Sequence, residues 1–243
     1  MSTIVAQAEV DIANSALSNL GISTQIDAFT DKTEPAKACA FWYPKMRNYA
    51  LRSAPWNFAY TCIALASDSS VAPGQPTPPT FGVNLPFPGW PYAYQYPNDC
   101  LQSIAVTTSA GQRLGPAFWS NWWWPYPAMN YAIPKVPTKI VQSFANPGQL
   151  MILCDIQATA GAPLYMFYIQ CVTNTAQFDV MFTDYLGWLL GWRVGMTLRS
   201  ADKAKVQYCQ SMAEKMRLEA LAQDLNESQQ DAARDSPSVL ARS

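Results

Sequence analysis

The stretch FTDYLGWLLGWRVGMTL, residues 182–198, organises the chain around it because it is apolar over almost its whole length. A membrane span needs about 20 consecutive apolar residues, whereas Asp184 and Arg193 interrupt this stretch. The pattern therefore predicts a helix buried inside a folded domain, and it predicts no membrane contact. Helical spacing predicts that one face of this helix points inward, together with Phe178 just before the stretch. The residues of that face are Phe182, Tyr185, Leu189, Trp192, Met196 and Leu198.

Two helices are predicted near the start of the chain. Residues 3–20 repeat apolar side chains at steps of three and four, and Gly21 suits the left-handed residue that ends many helices. A second helix is predicted to begin near Thr33, because proline is favoured in the first turn and Pro35 lies there. It should end before Pro55, since the residue preceding a proline is disfavoured in helical conformation.

A long amphipathic helix is predicted from Ala201 onward. Its apolar stripe is lost from Asn226, and Pro237 stops any helix, so residues 226–243 are predicted to form an extended tail that orders on a partner. The predicted inward face is Ala204, Tyr208, Met212, Met216 and Leu221, and the predicted outward face is Lys203, Lys205, Glu214, Lys215, Arg217 and Glu219.

Residues 60–173 carry a different pattern, with dense prolines and few charges, which excludes a long helix. The short runs LQSIAVTT, KIVQSFA, QLMILCDIQ and PLYMFYIQCV predict strands between turns. The predicted fold class is therefore α+β: a mainly α-helical bundle formed by both termini, with a β-rich, proline-rich insertion between helices 2 and 3. The predicted divisions are residues 1–59, 60–173, 174–225 and 226–243.

Residue types and motifs that the sequence lacks exclude several classes of function. The chain has no histidine, which excludes Ser-His-Asp and Cys-His catalysis and histidine-containing zinc sites. Its six cysteines include no CxxC pair, so we expect reduced and mostly buried thiols and not a metal site. The net charge of -1 argues against a protein whose main role is to bind nucleic-acid phosphates. No catalytic residue, cofactor or metal is predicted.

The segment NWWWPYP, residues 121–127, places three consecutive tryptophans in one stretch. Successive side chains of a strand alternate between its two faces, so these three cannot all point into one core. Contact with a neighbouring subunit or another protein is the preferred interpretation. A core role, a sugar-binding platform and a membrane belt are the alternatives. The residues concerned are Trp119, Trp122, Trp123, Trp124 and Tyr126.

Four segments, in this order, resemble a known family. They are IANSALSNLGIST, then ACAFWYPKMRNYALRSAPWNFA with its Trp-x-Phe-Ala end, then YQYPNDCLQSIAV, and finally TAQFDVMFTDYLGWLLGWRVGMTLRSADKAKVQYCQSM with Phe-Asp-x-x-Phe at its start. The chain resembles the head-to-tail adaptors of short-tailed bacteriophages, also called tail accessory factors or tail tubular protein A-like proteins. The long proline-rich loop over residues 73–97 and the NWWWPYP segment depart from that family's pattern.

The resemblance implies a structural protein of the virion, without catalysis. Such adaptors form a homo-oligomeric ring of twelve subunits beneath the portal protein, extend the channel through which DNA passes, receive the tail nozzle protein and can help hold a tail fibre or spike protein. The implied location is the head-tail junction, after assembly in the cytoplasm of the host bacterium. The C-terminal segment would dock against the portal, and its candidate contacts are Lys215, Arg217, Arg234, Val239, Leu240, Ala241 and Arg242.

Two other functions stay open from the sequence. A peptidoglycan hydrolase needs two carboxylates a few ångströms apart, and a pair in space is invisible in sequence. A carbohydrate-binding tail component would use the tryptophan segment.

Three further residues have predicted structural roles where the predicted helices and strands meet. Trp56 and Phe58 are predicted to pack where the second helix passes into the insertion. Asp99 is predicted to stabilise a turn after Pro97, because aspartate side chains accept hydrogen bonds from nearby backbone amides in turns.

Overall fold

The computed structural model describes residues 2–54, 56–66, 90–108, 135–142, 148–159, 161–198 and 201–234, with backbone alone for 2–7 and 224–234. The fold class is α+β, as predicted, with the strands lying between the second and third helices of the chain. The helices are α1 (Ser2–Asn19), α2 (Glu34–Arg52), α3 (Val180–Thr197) and α4 (Lys203–Arg234). The strands are β1 (Tyr60–Ala64), β2 (Tyr92–Gln95), β3 (Cys100–Thr107), β4 (Thr138–Gln142), β5 (Leu150–Cys154) and β6 (Tyr165–Gln170).

The described residues separate into two compact units. Residues up to Ala59 and from Cys171 onward form a helical unit, and residues from Tyr60 to Gln170 form a β unit. The helical unit is therefore built from two stretches of chain that are distant in sequence.

Helix α3 lies at the centre of the helical unit, where it packs against α1, α2 and α4. Two glycines allow the close approach of its neighbours. A Cβ atom at Gly191 would lie 3.2 Å from the carbonyl oxygen of Ala16, and one at Gly195 would lie 2.6 Å from side-chain carbons of Leu20 and Val206. The apolar stretch at residues 182–198 is thus the buried core helix that its composition predicts.

The helix ends follow local chemistry that is visible in the sequence. The Thr33 hydroxyl accepts a hydrogen bond from the Ala36 amide at 3.3 Å and caps α2. The Asp179 carboxylate accepts one from the Met181 amide at 2.9 Å and caps α3. Gly21 has a φ of 72°, which confirms the predicted left-handed end of α1.

The predicted face of α4 is wrong by part of a turn. Ala204 and Tyr208 are exposed, whereas Arg217 is buried. The buried face of α4 is made mostly of small side chains, which lets its backbone come close to α3. A prediction that places the larger apolar residues inward therefore selects the wrong face. The buried residues of α4 are Cys209, Ala213, Arg217 and Ala220.

Two further sequence predictions for the helical unit need correction. Met196 of α3 was predicted to face inward, but its side chain is 64% exposed. The tail was predicted to begin at Asn226, but α4 continues to Arg234. Residues 226–234 contain Gln, Ala, Glu and Arg, all good helix formers, so backbone propensity extends the helix beyond its apolar stripe.

The β unit contains two three-stranded antiparallel sheets, with strand orders β1-β6-β3 and β2-β5-β4. The four predicted strands are present, and β1 and β2 were missed because both are short and stand beside proline-rich or turn-rich sequence. The inner faces of the two sheets share one buried cluster, made of Leu65, Tyr94, Val106, Val136, Ile152, Cys154, Leu164, Met166 and Tyr168.

Candidate interaction surface

An aromatic cluster joins the two stretches of chain that make the helical unit. The indole ring of Trp56 lies 5.1 Å from the ring of Phe182, and the ring of Phe58 lies 5.0 Å from the same ring. Tyr185 and Phe178 extend the cluster. Trp56 is almost fully buried, and its Nε1–H donates to the Ala50 carbonyl at 2.8 Å. The Trp-x-Phe-Ala and Phe-Asp-x-x-Phe segments therefore pack against each other.

This cluster places Trp56 and Phe58 within the helical unit, directly before β1 begins. Burial raises the pKa of the nearby Tyr185 phenol to about 12, and its hydroxyl donates to the Ser53 hydroxyl at 3.3 Å. A phenol with that pKa stays protonated at neutral pH, so Tyr185 takes part in the cluster through its buried ring and this hydrogen bond.

A second group of aromatics lies on the surface of the helical unit, where α2 meets the end of α3. The Trp42 Nε1–H donates to the Thr197 hydroxyl at 2.9 Å, which ties the two helices together. The Lys45 ammonium stands 3.1 Å above the ring centre of Phe41, and Phe41 is 57% exposed. We call Phe41, Trp42, Lys45, Trp192, Arg193 and Met196 the aromatic–cationic patch.

Arg193 supplies the second positive charge of this patch. Its guanidinium lies 4.0 Å from the ring centre of Trp192 and 5.9 Å from that of Trp42. Its Nε–H is buried, and no hydrogen-bond acceptor for it lies among the residues that the structure describes. Exposed aromatics with cations over their faces are typical of surfaces that bind partners.

The sequence alone does not predict this patch. The available signal was the spacing of Phe41 and Lys45, which stand four residues apart and so are neighbours on a helix surface. The contribution of Arg193 depends on the packing of α3 against α2, which the sequence alone does not give.

The candidate portal contacts are distributed differently from the prediction. Lys215 is exposed and pairs with Glu219, as a solvated helix face would. Arg217 is only 7% exposed, and its Nε donates to Glu214 at 3.1 Å. This hydrogen bond lowers the pKa of the Glu214 carboxyl. Replacing Arg217 with Glu would therefore disturb the fold, which contradicts the expectation of an outward-facing docking residue.

The remaining predicted contacts lie where side chains are not described. Arg234 is the last residue of α4, and its backbone alone is described. Two groups of candidates lie outside the described residues. They are the tail residues Val239, Leu240, Ala241 and Arg242, and the tryptophan-segment residues Trp119, Trp122, Trp123, Trp124 and Tyr126.

Arg47 links α1 to α2. Its guanidinium lies 3.5 Å from the Glu9 carboxylate, and its side chain is only 12% exposed. Burial raises the pKa of the Glu9 carboxyl, while the positive charge of Arg47 opposes that rise. These residues hold two helices together and offer little to a passing DNA strand.

The described residues offer few elements of a chemical centre. None of the six cysteines, all of which lie in the described ranges, forms a disulfide; Cys39, Cys154 and Cys209 are buried, and Cys62 is exposed. Burial raises the pKa of the Cys39 thiol to about 12, which makes it unreactive at neutral pH. Within the described ranges, no three residues of the His, Cys, Asp and Glu types come together as metal ligands. Over the same ranges, no helix combines the length and apolarity that crossing a membrane requires.

Comparisons with known proteins add no relative. No protein-family model matches the sequence, and a search of curated proteins finds no significant match.

Proposed function

We propose that this protein is a structural head-to-tail connector of a short-tailed bacteriophage. One subunit would join a ring between portal and tail nozzle, extend the DNA channel and help attach a fibre or spike. It would act in the virion, at the head-tail junction, and would carry out no catalysis.

One observation carries the proposal. The segments that resemble the adaptor family are separated by more than 100 residues of sequence, yet they pack on each other through Trp56, Phe58 and Phe182. The residues that carry the resemblance therefore share one structural role, the packing that joins the two stretches of chain of the helical unit.

The carboxylates also favour a structural role over a peptidoglycan hydrolase. Glu9 pairs with Arg47, Glu214 with Arg217 and Glu219 with Lys215. These glutamates act as ion-pair partners on helices, whereas a hydrolase needs two carboxyl groups facing one substrate.

The test is the mass of the purified chain, measured by light scattering alone and after mixing with portal rings from candidate short-tailed phages. We expect a jump to a defined complex of many subunits with the matching portal. A chain that stays monomeric with every portal would contradict the proposal.

Two inexpensive assays address the rival functions. A zymogram on peptidoglycan should show no clearing, and clearing would favour the hydrolase. Replacing Trp122, Trp123 and Trp124 together with Ser should impair assembly with another subunit or tail protein. Normal assembly with lost cell adsorption would favour a carbohydrate-binding component.

A further inference from the structure

The two ends of α3 present surfaces of opposite charge. At its C-terminal end, the aromatic–cationic patch exposes Phe41 and Met196 beside the positive charges of Lys45 and Arg193. At its N-terminal end, Val180 is 74% exposed, and the carboxylates of Asp179 and Asp184 are exposed beside it. We call Asp179, Val180 and Asp184 the acidic start.

Each surface combines an apolar contact with charge of one sign. Val180 and Asp184 are four residues apart and so are neighbours on the surface of α3. Lys45 and Arg193 both stand over aromatic rings, which fixes their charges at an apolar surface. An apolar side chain flanked by carboxylates therefore complements this patch in charge and supplies a second apolar contact.

One chain cannot join its own two surfaces. Asp184 and Arg193 are nine residues apart on one continuous helix, which separates them by about 14 Å at ~1.5 Å per residue. Because α3 is the packed centre of the helical unit, it cannot bend to close that distance. The acidic start can reach an aromatic–cationic patch only in another molecule.

We propose that the aromatic–cationic patch of one copy binds the acidic start of a second copy of this chain. The two surfaces differ, so the contact is head-to-tail. One subunit of the pair keeps its acidic start free and the other keeps its patch free, so each can bind a further neighbour. Such a contact propagates into a closed ring or an open filament. It specifies the intersubunit contact of the proposed connector ring, and in that respect rests on the proposed function.

The test uses two exposed charges that carry no part of the core, Lys45 and Asp184. Light scattering of the full chain at low salt, over rising concentration, should show self-association that weakens in high salt, since salt screens exposed charges. K45E and D184K, each alone, should weaken it by about tenfold or more in apparent dissociation constant, because like charges then face each other.

The decisive arm is an equal mixture of K45E and D184K. In an alternating assembly every contact regains opposite charges: Glu at the mutated patch faces Lys at the mutated start, and the unmutated surfaces face each other. Association should return to near the wild-type level in the mixture, although each variant alone is defective. Recovery by mixing also shows that both variants are folded.

K32E and D27K are matched controls, because both residues are exposed and lie in the loop between α1 and α2, outside the two surfaces. They should associate like the wild type. The proposal is overturned if the wild-type chain stays monomeric at every concentration, if K45E and D184K associate normally, or if their mixture fails to recover.

The outcomes separate this inference from the proposed function. A chain that assembles on a portal ring while K45E and D184K assemble equally well would retain the connector function and reject this interface. Self-association that follows the charge swap, without binding to any portal, would retain the interface and reject the connector.

Discussion

The helical unit and the β unit solve the same problem, the burial of an apolar chain, by opposite means. In the helical unit one helix, α3, supplies the centre, and local signals place its start and those of its neighbours. In the β unit no strand satisfies its own backbone hydrogen bonds. The strand β1, for example, pairs with β6, which lies about 100 residues later in the sequence. The individual helices thus follow from local sequence, whereas the strands of the β unit depend on long-range pairing.

Polar contacts between distant segments stabilise both units. In the helical unit the Glu9 carboxylate pairs with the Arg47 guanidinium. In the β unit two uncharged groups of β6, the Tyr168 hydroxyl and the Gln170 amide, donate to the Asp99 carboxylate at 3.1 and 2.8 Å. Asp99, which the sequence predicts to stabilise a turn, thereby ties the start of β3 to β6.

The largest expected effect is on the cluster that closes the helical unit. W56A should lower the free energy of unfolding by about 3–5 kcal/mol, because it removes a fully buried ring and the Nε1–H bond to Ala50. Urea denaturation followed by circular dichroism measures the change. F41A, at an exposed aromatic, is the control and should cost under about 1 kcal/mol. Equal losses in the two variants would contradict the central role of Trp56.

A smaller effect is expected from two glycines on α3. G195A should cost about 1–3 kcal/mol, since its methyl group would collide with Leu20 and Val206 at 2.6 Å. G187A should instead stabilise by up to about 1 kcal/mol, because its nearest neighbour is Ser15 at 3.9 Å and alanine favours the helix. Thermal unfolding of both variants measures the difference, and stabilisation of both would show that α1 and α4 do not approach α3 closely at Gly195.

In the β unit, D99A should cost about 1–3 kcal/mol, because it leaves the Tyr168 and Gln170 donors without their acceptor. D155A removes an exposed carboxylate of the same unit and should stay within about 0.5 kcal/mol of the wild type. Urea denaturation of both variants provides the measurement. If D99A were as stable as D155A, Asp99 would have only the turn role that the sequence indicates.

The smallest effect concerns Glu214 and pH. Its hydrogen bond from Arg217 lowers the pKa of this carboxyl below its usual value of 4.5, so the carboxylate stabilises the folded state above that pH. That contribution is lost as pH falls through the lowered pKa. E214Q should therefore be slightly less stable than the wild type at pH 7, and the gap should close in acid. A gap that widened in acid would mean that the pKa shift has the opposite sign.

The sequence by itself determined where the helices α1, α2, α3 and α4 lie and how three of their ends are formed. Thr33, Asp179 and Gly21 act within one or two turns of their own position, so their roles follow from neighbouring residues alone. The α+β class followed as well, because proline excludes long helices from the middle of the chain.

Tertiary structure decided which side of each helix is buried and which residues meet. Arg217 is buried because it lies on the face of α4 that carries the small side chains. Leu20 and Val206 can lie close to α3 because Gly195 has no side chain there. The aromatic–cationic patch exists only because Trp42 and Arg193, far apart in sequence, lie beside each other. Local propensity fixes backbone conformation over a few residues, whereas a surface depends on packing between distant segments, which no single stretch of sequence encodes.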